Sequence, residues 1–113
     1  MTSRRDDRIP IEDMIRACQM VIEYTGSLTD EEFFRQRLVQ DAVLYELAIL
    51  GEAANAVSRP VRDQHPEIPW AAIANMRHHV VQGYGDVDLD IVWETARQDV
   101  PNLLAQLQAI GNV

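Results

Sequence analysis

The chain has 113 residues, 47% hydrophobic and 25% charged, which bounds it to one globular domain with a single core. Its formal net charge of −8 argues against a broad electrostatic footprint on nucleic acid, although a small site where a few arginines converge between subunits is still compatible with it. The single cysteine, Cys18, excludes an internal disulfide, no apolar run approaches the ~20 residues that span a bilayer, and "MTSRRDDR" has no apolar segment behind its arginines, so a cytoplasmic protein with no signal peptide is expected.

The hydrophobic period is helical almost throughout. Residues 1–8 read as a flexible N-terminal arm and 9–113 as one helical domain. Ile11, Met14, Ile15, Cys18 and Ile22 recur at steps of three and four behind Pro10, and Gly26-Ser27 stops this first helix. Thr29 and Glu32 in "TDEE" match a capping box. From there Phe33, Val39, Val43, Leu47, Leu50, Ala54 and Val57 predict one long helix that ends at Arg59-Pro60. The connection "RPVRDQHPEIPW" has three prolines and no clean period.

A third helix is expected from Pro69 through Trp70, Ile73, Met76 or Arg77, Val80 and Val81, closed by "GYGD". Asp86 or Asp88 caps a fourth, carrying Ile91, Val92, Thr95 and Ala96. Pro101 falls inside that pattern, so a kink or restart is expected before Leu103, Leu104, Leu107 and Ile110. No strand signal survives. The reading is all-α: an antiparallel bundle of four to five helices, with enough amphipathic surface left over for a homodimer.

Most polar residues have bland readings. His65 reads as a solvated turn residue, Arg59 and Arg62 as surface charges, and Cys18 as core. Glu52 stands in the small, apolar stretch "LAILGEAANAV". A buried carboxylate there has to be paired, cap something or face a subunit interface, because an unpaired buried charge is costly. No metal site is expected. His78 and His79 are adjacent and point ~100° apart on a helix, the i,i+4 histidine spacing is missing, and no carboxylate cluster completes a ligand set. No cofactor motif is present either. In "MRHHVVQGYGDVD", Met76 to Asp88, Arg77 and Tyr84 share a face if the helix continues, and His78 and Gln82 share the neighbouring one. A guanidinium and a phenol at a helix end are compatible with phosphate recognition.

"PWAAIANMRHHVVQGYGDVDLDIVWETARQDVPNL" resembles the signature of HepT-like HEPN toxins, small α-helical proteins of toxin–antitoxin systems, with its arginine, four residues, histidine, any residue and tyrosine. "DAVLYELAILGEAANAVS" resembles the family's Gly-Glu-Ala block, and "YTGSLTDEEFF" and "DVPNLLAQL" fit in spacing, so the resemblance runs from about Ile9 to Leu107. It implies a HEPN-like fold, a homodimer, and a metal-independent endoribonuclease working on RNA at a cleft between subunits. It also implies a minimal nucleotidyltransferase antitoxin as partner, which neutralises the toxin by binding or by adding nucleotide (AMPylation) to the motif tyrosine. Arg77 matches the motif arginine, Tyr84 the motif tyrosine and Glu52 the glutamate of the Gly-Glu-Ala block.

The motif histidine falls at position 82, where this chain has Gln82, and His78 stands where the family often has asparagine. In the reaction the resemblance implies, a ribose 2′-hydroxyl attacks the adjacent phosphodiester. An imidazole moves the proton at neutral pH and arginine stabilises the phosphorane. A glutamine amide hydrogen-bonds but is no acid or base near pH 7. Three explanations stay open: an engineered substitution, a natural degenerate member kept for binding, or His78 taking over proton transfer. Two other readings also stand: a non-catalytic module that holds a nucleotidyltransferase or RNA, and a purely structural helical dimer.

Overall fold

The computed structural model describes residues 6–76, 81–82 and 86–111. It is all-α in architecture, with helices α1 (Arg8–Thr25), α2 (Asp30–Arg35), α3 (Arg37–Ala56), α4 (Arg59–Gln64), α5 (Trp70–Ala74), α6 (Leu89–Glu94) and α7 (Val100–Ile110). A π-helical turn, Thr95–Asp99, joins the last two, and strands β1 (Val81–Gln82) and β2 (Asp86–Val87) pair antiparallel.

Helix α1 buries Ile11, Met14 and Cys18 of the stripe that the sequence marks, and Val21 beside it, whereas Ile15 and Ile22 of that stripe are only partly covered. Pro10 is tolerated because the N–H it lacks has no partner in a first helical turn. Burial pushes the Cys18 thiol up to about 12, the mark of an inert core group. The helix stops at Thr25, where Thr25 Oγ1 donates back to the Val21 carbonyl at 2.8 Å. Its last carbonyls are capped from far along the chain: Arg97 Nη1 donates to the Thr25 oxygen at 3.2 Å and the Gly26 oxygen at 3.3 Å.

The long helix expected from Thr29 to Arg59 divides at Gln36, whose backbone is extended (φ −110°, ψ 90°). The reason lies in phase. Phe33 is fully buried, yet the residues three, four and seven positions on are Gln36, Arg37 and Gln40, so an unbroken helix would continue the Phe33 face with polar groups. The break rotates α3 so that Val43, Leu47 and Leu50 enter the core instead. Gln40 Nε2 donates to the Phe33 carbonyl at 3.0 Å and supplies a partner at the break. The capping box forms as expected, with Glu32 N–H donating to Thr29 Oγ1 and Thr29 N–H to Glu32 Oε1. Phe33 also stacks on Trp93 with ring centroids 4.7 Å apart, and Arg97 sits 5.2 Å above the same indole.

Helix α3 is the hub, packed against α1 along its length and against α2, α5 and α6. Helix α7 returns to α1 and places Leu103 and Leu107 in the core. Two further expectations need correction. The stretch after Ser58 is the short helix α4, with Pro60 in its first turn and Val61 buried, because proline suits a helix start as well as it disrupts an interior. The expectation that no strand survives fails at Val81–Gln82, which is extended and paired with Asp86–Val87. Near the C-terminus Asp88, not Asp86, caps α6, accepting from Ile91 N–H at 3.2 Å. Pro101 cannot donate to a helical carbonyl, and the π turn just before it absorbs the misfit within one continuous rod.

At the other end, the Asp7 carboxylate accepts from Ser58 N–H at 2.8 Å and from Ser58 Oγ at 2.7 Å, across 51 residues of sequence. This half-buried pair ties the start of α1 to the α3–α4 junction. We expect Asp7→Ala to lower stability by about 1–2 kcal/mol and Ser58→Ala by less, since its backbone donor survives. In urea denaturation the double variant should lose less than the sum of the two single losses; full additivity would deny the coupling.

Candidate functional site

The Arg77-to-Tyr84 segment hangs from α5, and α5 is positioned by α3 at Gly51. A β-carbon on Gly51 would stand 3.1 Å from the Ile73 carbonyl oxygen and 3.5 Å from that of Ala74. A β-carbon there would press on the α5 backbone, so glycine favours the close approach of the two helices. On its other flank α5 is anchored by Trp70, which is buried and whose indole N–H donates to the His65 carbonyl at 3.0 Å. His65 itself is half-buried, with Nδ1 3.5 Å from Glu67 Oε2, and so is less solvated than a simple turn residue.

Helix α5 ends at Ala74, and Asn75 leaves helical geometry at φ −99°, ψ 15°. Arg77, His78 and Tyr84 lie outside the described residues. Gln82 is described through its backbone: it sits in β1 opposite Asp86, with Val81 opposite Val87. The continuous helix expected through Val81 is therefore absent. The shared helical faces argued for Arg77 with Tyr84, and for His78 with Gln82, lose their basis, because side chains in a strand alternate every residue.

Glu52 follows Gly51 directly and is exposed, without a hydrogen-bond or ion-pair partner among the described residues. The burial that its apolar neighbourhood suggested does not occur within one chain, because α3 turns Gly51 and Ala53 inward and Glu52 outward. It lines a shallow cavity of about 290 Å³ with Ile9, Asp13 and Ile49, between α1 and α3. An adjoining cavity shares Asp13 and Ile49 and adds Arg16, Tyr45 and Glu46. Desolvation raises the Glu46 carboxyl, and nearby Arg16 partly offsets this. Leu38 (85% exposed) and Tyr45 (65%) extend the same flank of α3 as unburied apolar surface.

Arg62, read as a surface charge, is only half-exposed, and its Nε is buried without a hydrogen-bond partner among the described residues. Arg97 and Trp93 were not singled out from the sequence. Their i,i+4 spacing is the signal that marks them as one cation–π unit. Among the described residues no three metal-ligating side chains converge, and no helix is long and apolar enough to cross a membrane.

The HepT-like ribonuclease family matches residues 14–110. The chain belongs to this family. It is 31% identical over 107 residues to a probable ribonuclease HepT of Thermococcus cleftensis, covering 95% of this chain and 97% of that protein. It is 32% identical over 107 residues to a Methanocaldococcus jannaschii protein named as a gamma-glutamylcyclotransferase and candidate RNase, of which it spans only 48%. A candidate RNase of Caldanaerobacter subterraneus subsp. tengcongensis is 30% identical over 100 residues, with 88% and 89% of the two chains covered. No solved structure matches the chain. For this HepT-like domain, the Gly51 contact is what sets the root of the motif segment.

A methyl group at Gly51 would gain up to about 1 kcal/mol in helix propensity but force α5 to shift, at a cost of about 1–3 kcal/mol. We expect Gly51→Ala to lose about 1 kcal/mol net, and Gly51→Val clearly more, in urea denaturation. An unchanged midpoint for Gly51→Val would mean that α5 gives way freely.

Proposed function

We propose that this chain is the toxin component of a type VII-like toxin–antitoxin pair, a HepT-like HEPN protein that acts in the cytoplasm on RNA. In this reading Arg77 clamps the scissile phosphate, Tyr84 contacts substrate and is the residue that an antitoxin modifies, and Glu52 assists substrate binding. Gln82 occupies the position of the proton-transfer histidine. The observation that carries the reading is the motif Arg77-x4-Gln82-x-Tyr84 within a chain of this family.

The chemistry then follows from one side chain. Arginine offers two parallel N–H donors to a phosphate and strengthens as the phosphorane gathers charge. Transfer of the 2′-hydroxyl proton needs a group that titrates near neutrality, and glutamine has none. Loss of such a group costs about 10² to 10⁴ in rate, so the chain is an impaired or inactive ribonuclease. A contribution from His78 is the alternative source of a base; it finds no support in a shared helical face, because Gln82 is extended.

A homodimer is part of the reading. Exposed Leu38 and Tyr45 on α3 and Ile9 on α1 give an apolar flank of the kind that a second subunit covers. The expected partner is a minimal nucleotidyltransferase. An adenylyl group on Tyr84 would put an anionic phosphate where the RNA backbone has to lie, and so inhibit by repulsion and by bulk. The second reading, a non-catalytic module that holds a nucleotidyltransferase or RNA, is favoured by the same Gln82 together with the net charge of −8.

RNA cleavage without metal, measured for this chain, Gln82→His and Gln82→His/Arg77→Ala, separates the readings. We expect the histidine variant to cut at least 10²-fold faster than the parent, and the double variant to return to background. Equal cleavage by parent and Gln82→His would assign the proton to another group. No cleavage by any of them would leave the binding module as the better account. For the dimer, Tyr45→Glu should shift the sedimentation profile toward monomer, and an unchanged profile would move the subunit contact elsewhere.

A further inference from the structure

A cavity of about 430 Å³ opens between the α4–α5 connection and the π turn. Its floor is apolar, made by the buried Ile73, Val100 and Leu103, and its rim carries the exposed Asn75, Asp99 and Asn102. Glu67 adds a second carboxylate to the lining, and its backbone oxygen holds Gln106 Nε2 at 3.1 Å. Met76 lines the same space. The π turn shapes it directly, since Thr95 and Asp99, the first and last residues of the widened turn, both face the cavity.

We propose that this cavity is a base-recognition subsite for guanine in the RNA, a reading that rests on the ribonuclease function above. A volume of this order fits a planar base over an apolar floor. Among the described residues the lining has two carboxylates and no cation, which disfavours phosphate there, so a nucleotide enters base first. A carboxylate only accepts hydrogen bonds, and its two oxygens suit two donors side by side. Guanine presents N1–H beside its 2-amino group. Adenine and cytosine set one amino group beside an acceptor nitrogen, which a carboxylate opposes, and uracil offers a single N–H between two carbonyls. Asp99 is the reader and the amides of Asn75 and Asn102 serve the remaining edge.

The test is a titration of the intact protein with guanosine 5′-monophosphate and inosine 5′-monophosphate, which differ only in the 2-amino group, followed by amide NMR. Guanosine monophosphate should perturb Asn75, Asn102 and Leu103 and bind about tenfold more tightly than the inosine compound, with Asp99→Asn removing the difference. A short RNA with one guanine should bind more tightly than its inosine version by a similar factor. Equal binding of the two nucleotides, or perturbation confined to other residues, would overturn the subsite even if RNA is cut in an Arg77-dependent way. Discrimination between the mononucleotides without discrimination between the RNAs would also overturn it, in favour of a free-nucleotide site. If the subsite responds as expected but no variant cleaves RNA, it is the nuclease reading that falls.

Discussion

The approach of α3 to α5 at Gly51 is the constraint on which the functional end of the molecule depends. At that point the wall of one helix is bare backbone, with the Ile73 carbonyl 3.1 Å from where a side chain would begin. Trp70 pins the other end of α5, so a helix of five residues, too short to be stable alone, is held on two sides. Everything that follows in sequence, from Arg77 through Gln82 to Asp86, leaves from this fixed point. Thus the glycine and the glutamate of one Gly-Glu-Ala block divide their work: the first sets backbone distance and the second stays exposed toward the α1–α3 flank.

The second organising contact is more distant in sequence. Trp93 and Arg97 close over the α1–α2 corner, where the indole stacks on Phe33 and donates to Asp30 while the guanidinium caps α1. Here a cation spends its charge on main-chain carbonyls, where the helix dipole favours it. That leaves Arg97 committed to structure.

Much of this was legible from residues alone. The stripes of α1 and α3, the capping box at Thr29, the stop at Gly26 and a cap at one of Asp86 and Asp88 all have local physical causes, and local causes are written in local sequence. The misses share a different origin. The break at Gln36 depends on where Phe33 finds its partner, Trp93, sixty residues on; the polar run Gln36, Arg37 and Gln40 is its visible trace. The hairpin at Val81–Gln82 was hidden because "HVVQGYGDVD" suits a helix end as readily as a turn flanked by short strands. Glu52 is exposed within one chain because exposure depends on which side of α3 meets α5, and of its expected surroundings the subunit interface stays open. The motif positions came from resemblance to a family, and no period or spacing would have ranked Gln82 above Gln106.

The two long-range ties, Asp7 to Ser58 and Arg97 to Thr25, also set an order of events during synthesis. A chain leaving the ribosome presents α1, then α3, and the Asp7 tie can close early. The C-terminal end of α1 must wait for Arg97, and the apolar face of α1 waits for α7 with Leu103 and Leu107, which emerge only after the whole motif segment. A nascent chain thus carries every motif residue before the scaffold beneath them is complete. The core is therefore closed only once α7 has packed against α1.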